Sequence, residues 1–136
     1  MIFVDTSAWI ALADRKDQHH GDAVGIYTRL KRRKERLATT DYLVDETVTR
    51  LRYDLSHSVA VRFLDFIERA EETGVLTVIR IDETLFHEAK KLFRQYDSAK
   101  VSFTDCTSFA VCQMYKISEA FAFDQHFIMM GITLLR

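Results

Sequence analysis

The chain begins MIFVDTSAWI (residues 1–10), and the reading of Asp5 in that stretch decides the rest. Ile2, Phe3 and Val4 form a run suited to a strand buried on both faces, where a carboxylate is costly. Two readings of Asp5 are open. It forms a turn or caps a helix, with the hydroxyl residues Thr6 and Ser7 after it, or it is a metal ligand at the end of a central strand.

Beyond this stretch, apolar runs alternate with helical periodicity. Thr6 to Ala13 has helical composition, and Val24, Tyr27 and Leu30 recur at helical spacing ahead of the basic run KRRKER at 31–36. Leu37 to Thr39 is a short candidate strand. Thr39 or Thr40 then caps a helix over DYLVDETVTRLRYDL, and Ala60, Phe63, Leu64, Ile67 and Ala70 mark an amphipathic helix ending near Gly74. Val75 to Ile81 reads as a strand, and Asp82 caps a helix that lines up Leu85, Ala89, Leu92 and Tyr96. A polar turn leads to a helix beginning at Ser102. The run AFAF (120–123) stops at Asp124, and Ile132 to Leu135 makes a last strand. The expectation is a three-layer α/β/α domain with a central parallel sheet of four to five strands, occupying residues 1–136 as one unit.

Composition narrows the function classes. With 19 Lys and Arg against 20 Asp and Glu, the formal net charge of −1 argues against a broadly basic nucleic-acid coat. The longest run free of Asp, Glu, Lys and Arg, residues 125–135, is too short to span a bilayer, and Asp5 interrupts any secretory signal. Cys106 and Cys112 match no metal or redox spacing and read as reduced core thiols. A soluble cytoplasmic domain is expected.

In an open parallel sheet, ligands bind beyond the carboxyl ends of the strands, where strand order reverses. Asp5 and Asp124 follow apolar strands, and Glu46 and Asp105 lie early in helices that follow. Carboxylates within about 5 Å repel by about 3 kcal/mol per pair at an effective dielectric near 20, so such a group takes up protons or holds a cation. An all-oxygen set suits Mg²⁺ or Mn²⁺, which polarises a phosphate and activates water. Each acid also has a local reading. Asp105 completes S-x-x-D with Ser102, Glu46 pairs with Arg50 one turn on, and Asp5 and Asp124 form turns.

IFVDTSAW, LVDETVTRL, SFTDCTSFAV and AFAFDQHF together resemble the signature blocks of the PIN domain, and more specifically the VapC-type toxins of toxin–antitoxin pairs. The resemblance implies a Mg²⁺- or Mn²⁺-dependent endoribonuclease that cuts structured RNA, tRNA or rRNA. It places Asp5, Glu46, Asp105 and Asp124 in the acidic pocket, with Asp5 and Asp105 as direct metal ligands and Thr6 and Ser7 in support. A homodimer and an antitoxin covering the active-site groove are implied as well. Asp45 and Glu46 are adjacent, so only one is expected to face the pocket. Glu46 is chosen because it shares a face with Leu43 and because the motif puts its acid there.

KRRKER, Arg50 and Arg52 are candidate RNA contacts or solvated charges; Trp9 and Tyr53 are stacking candidates or packing residues. His19 and His20 are expected in a polar loop. His126 is placed outside the site, with Phe127 packing beneath Asp124. The alternatives are a catalytically silent PIN domain that binds RNA or protein, a nuclease acting on DNA, and a haloacid-dehalogenase-like phosphatase. The last is disfavoured by Ser7, which stands where a second aspartate is needed.

Overall fold

A computed structural model describes residues 1–97 and 100–136 of the chain. Five parallel strands, β1 (Ile2–Val4), β2 (Leu37–Thr40), β3 (Leu76–Ile79), β4 (Glu119–Phe121) and β5 (Thr133–Leu134), pair in the order β3-β2-β1-β4-β5. The helices are α1 (Thr6–Ala13), α2 (His20–Arg32), α3 (Asp41–Asp54), α4 (His57–Glu72), α5 (Glu83–Gln95), α6 (Phe103–Met114) and the single turn α7 (His126–Met129).

Strand pleating creates the three layers. Successive side chains of β1 face opposite ways, so Ile2 and Val4 enter one core while Phe3 enters the other. The first core gathers Trp9, Ile26, Leu30, Leu51, Phe63 and Ile67 from α1 to α4. Trp9 is buried edge-on to Phe63 and Phe66, and its indole N–H donates to Thr39 Oγ1 at 3.2 Å. That bond gives the indole a buried partner and rules out base stacking by this ring. In the second core, Phe127 packs between Phe3, tilted to it at a centroid distance of 5.9 Å, and Phe109, edge-on at 5.3 Å.

The chain runs from β1 outward to β2 and β3, then crosses back through α6 to β4 on the other side of β1. The strand order therefore reverses between β1 and β4, which opens a crevice at their carboxyl ends.

Several boundaries differ from the periodicity. The buried face of α2 is Ala23, Ile26 and Leu30, and Val24 is exposed; the helix already includes His20. His20 Nδ1 lies 2.7 Å from the Ala11 carbonyl oxygen, tying α2 back to α1. Strand β3 stops at Ile79, since the Ile81 N–H is taken by the Asp41 side chain rather than by a neighbouring strand. Leu64 is exposed on α4. The KRRKER run ends α2 at Arg32, with Lys31 and Arg32 in its last turn, where cations favour the dipole. Arg52 and Tyr53 are exposed. Part of the polar turn expected between Tyr96 and Ser102 lies outside the described residues.

Phe127 is fully buried and holds the segment just after Asp124 against the core. Phe127→Ala is expected to lower unfolding free energy by about 3–5 kcal/mol, measured by urea melts.

Candidate active site

Asp5 is the N-cap of α1. Its backbone N–H donates to the Phe121 carbonyl oxygen at 3.0 Å, continuing the β1–β4 ladder by one residue, after which the two chains part. Ser7 N–H and Ser7 Oγ both donate to Asp5 Oδ2, at 3.1 and 2.6 Å, so Oδ1 carries none of the carboxylate's hydrogen bonds among the described residues. Ser7 Oγ also accepts from the Phe123 N–H at 2.9 Å. Strand β4 has ended by then: Ala122 and Phe123 leave the sheet, contrary to an AFAF strand over 120–123. Ser7 thus ties the β4–α7 loop to the end of β1 and keeps Asp124 within reach of Asp5. Thr6 faces away, its hydroxyl donating to the Leu43 carbonyl oxygen at 3.4 Å and accepting from Thr47 Oγ1 at 3.1 Å.

Asp105 closes a capping box at the start of α6. Its N–H donates to Ser102 Oγ at 2.9 Å, and the Ser102 N–H donates to Asp105 Oδ2 at 3.0 Å. Asp124 makes an Asx turn in which Oδ1 accepts from the His126 N–H at 2.9 Å. This turn folds the His126 ring back on the acid. Nδ1 lies 2.9 Å from Asp124 Oδ1 and 3.7 Å from Asp105 Oδ2, so the ring stands within the acidic group rather than outside it. The spacing D-x-H after a strand was the available signal, since an Asx turn returns residue i+2 toward its own carboxylate. Nδ1 is buried and makes no aligned hydrogen bond despite these approaches. One ligand atom from each of Asp105, Asp124 and His126 lies within 4.8 Å of the others, the arrangement of donors around a shared ion. The donor set therefore fits a divalent cation, with imidazole nitrogen added to the oxygens expected.

Asp5 stands beside this cluster and feels it. Burial, above all, pushes its carboxyl up from 3.8 to about 6. The charges of Asp105 and Asp124 push the same way, and the two Ser7 bonds oppose them. Asp105 is raised too, first by burial and then by Asp124, against the Ser102 bonds and His126. Glu46 is half-buried and is not among the charges acting on Asp5 or Asp105. It lines a pocket of about 430 Å³ between α3 and α6, which Asp45 borders as well. No Glu46–Arg50 ion pair forms among the described residues. A larger cavity of about 910 Å³ on the α1–α4 side, lined by Trp9, Tyr27 and Phe63, holds none of the four acids.

The PIN domain family profile matches residues 2–131. The chain is a PIN-domain protein. It is 32% identical to the 23S rRNA-specific endonuclease VapC20 of two strains of Mycobacterium tuberculosis, covering 100% of this chain and 98% of the relative. It is 31% identical to a VapC ribonuclease of Archaeoglobus fulgidus, over 91% of this chain and 77% of that one. The crystal structure of M. tuberculosis VapC20, described as a sarcin–ricin loop cleaving toxin, superposes with a TM-score of 0.87 at 33% identity, covering 100% and 99% of the two chains. The three-layer PIN fold and the VapC resemblance expected from the signature blocks are both met.

The sign of the Asp5 effect on stability follows from its raised value. Folding carries no penalty from this group below about pH 4, a growing one as pH rises toward 6, and above that the full cost, about 3 kcal/mol. Metal-free Asp5→Asn is therefore expected to melt above the wild type at pH 7.5, with the gap closing near pH 4. Stabilisation of the wild type by Mn²⁺ is expected to grow between pH 5 and 7.5 and to vanish in the variant. Thermal melts across this range check both.

Proposed function

We propose that this PIN domain, residues 1–136 acting as one unit, is a divalent-metal-dependent endoribonuclease and the toxin of a toxin–antitoxin pair. The observation that carries the reading is the meeting of Asp5, Asp105, Asp124 and His126 at the switch point between β1 and β4. Asp5 and Asp105 would hold Mg²⁺ or Mn²⁺, with Asp124 and His126 beside them and Glu46 at the rim. When bound, the cation supplies charge against a phosphate oxygen and lowers the pKa of a coordinated water.

The chain's own residues do the rest. Ser7 fixes Oδ2 of Asp5, so the carboxylate keeps a single orientation. Ser102 does the same for Asp105 from the capping box. Asp124 Oδ1, already turned inward by its Asx turn, accepts a proton from the attacking water. Phe127 and the other apolar residues beneath keep this side of the site dry, which strengthens each of these interactions.

The substrate is a structured RNA. The names of the M. tuberculosis relatives favour the sarcin–ricin loop of 23S rRNA over tRNA. The partners are this RNA, an antitoxin and a second copy of the chain, in the cytoplasm. No helix among the described residues is long and apolar enough to cross a membrane.

Purified protein is expected to cut RNA only with Mg²⁺ or Mn²⁺. Asp5→Asn and Asp105→Asn are each expected to reduce cutting by at least a hundredfold with circular dichroism unchanged. Induction should slow growth, and sequencing of the new RNA ends should place the cut. Undiminished cutting by either variant would mean a contaminating nuclease or a wrong residue assignment, and no cutting by the wild type would return the chain to the binding-module reading.

A further inference from the structure

Helix α3 carries two stripes. Leu43, Thr47 and Leu51 are buried against the core, while Tyr42, Asp45, Glu46, Thr49 and Arg50 recur at i, i+3, i+4, i+7 and i+8 along a second face. Thr104 of α6 closes the other side of the pocket along that face, and it is the residue before Asp105. Through Thr104 the wall of the pocket is one residue from Asp105 of the acidic group. Its two largest side chains are idle. Among the described residues the Tyr42 ring meets no other ring, its hydroxyl makes no hydrogen bond, and Arg50 has no ion-pair partner. Arg50 is the single cation of the lining and lies about 12 Å along the helix from Tyr42.

We propose that this pocket receives a nucleobase of the RNA next to the bond that is cut, stacked on the Tyr42 ring, with Arg50 holding a phosphate at the outer end. The inference rests on the ribonuclease reading and extends it to a substrate subsite. The chemistry of the walls selects the occupant. Asp45 and Glu46 repel a phosphate at the inner end but accept hydrogen bonds from base N–H groups, and Thr49 and Thr104 serve either edge of a base. A planar ring beside such acceptors is a base platform, and stacking on it tolerates any base.

The test uses a synthetic hairpin RNA bearing the sarcin–ricin loop, with 2-aminopurine at each loop purine in turn. Wild type in Mn²⁺ is expected to quench the fluorophore at one position beside the cut. Tyr42→Ala should abolish that quenching and lower kcat/KM about tenfold, whereas Tyr42→Phe retains both. Mn²⁺ uptake by calorimetry should be equal in all three proteins. Arg50→Ala should weaken binding and flatten its salt dependence. The pocket is overturned if Tyr42→Ala quenches and cuts like the wild type, if it also loses Mn²⁺, or if the wild type quenches at no position. A wild type that binds and quenches but does not cut refutes the ribonuclease reading on this RNA alone, and loss of that quenching in Tyr42→Ala still supports the pocket.

Discussion

A carboxylate buried at the carboxyl end of the central strand governs the architecture of this PIN domain. Asp5 lies 6% exposed beside two further acids, in surroundings that favour its neutral form. Such a group persists only where something in the folded state offsets it. Ser7 supplies part of the offset with two hydrogen bonds to Oδ2, and the rest is left to whatever the ionised cluster binds. That cost falls at the switch point, where the topology opens a crevice beside the buried carboxylate.

The acids are economical in a structural sense. Asp5 caps α1, Asp105 completes the capping box of α6, and Asp124 makes the turn into α7. A cap contributes about 1 kcal/mol, less than the full penalty of ionising Asp5, so capping accounts for the conformation of each side chain but not for their convergence. Local roles fix the rotamers and tertiary structure brings the rotamers together. The two readings open for each acid were therefore never exclusive.

That overlap explains what was legible in the sequence. Strand β1, the caps at Asp5, Thr40, Ser102 and Asp82, and the alternation of strands with helices all rest on short-range rules, and the structure follows them. The errors fall where long-range contacts override periodicity. Val24 satisfies helical spacing, yet α2, docked through His20 on Ala11, buries Ala23 instead. AFAF has strand composition through Phe123, but the Phe123 N–H bonds Ser7, 116 positions earlier, and leaves the sheet. On sequence alone His126 is placed outside the site, because position i+2 of an Asx turn acquires its meaning from the acid opposite, Asp105, which lies 21 positions away in sequence.

The cysteines show how the ground beneath the site is kept neutral. Cys112 lies near enough to Asp5 that the carboxylate adds to burial in pushing the thiol up to about 12, and Cys106, next to Asp105, is raised for the same two reasons. Neither thiol ionises at physiological pH, so neither adds a negative charge to the cluster or reacts as a nucleophile. A lysine or arginine at either place would instead neutralise the acids from within and compete with a cation arriving from the crevice. With small, uncharged thiols beneath, the protein groups that answer the acidic charge are Ser7, Ser102 and His126. The open end of the sheet is the side from which the proposed cation and an RNA phosphate would reach it.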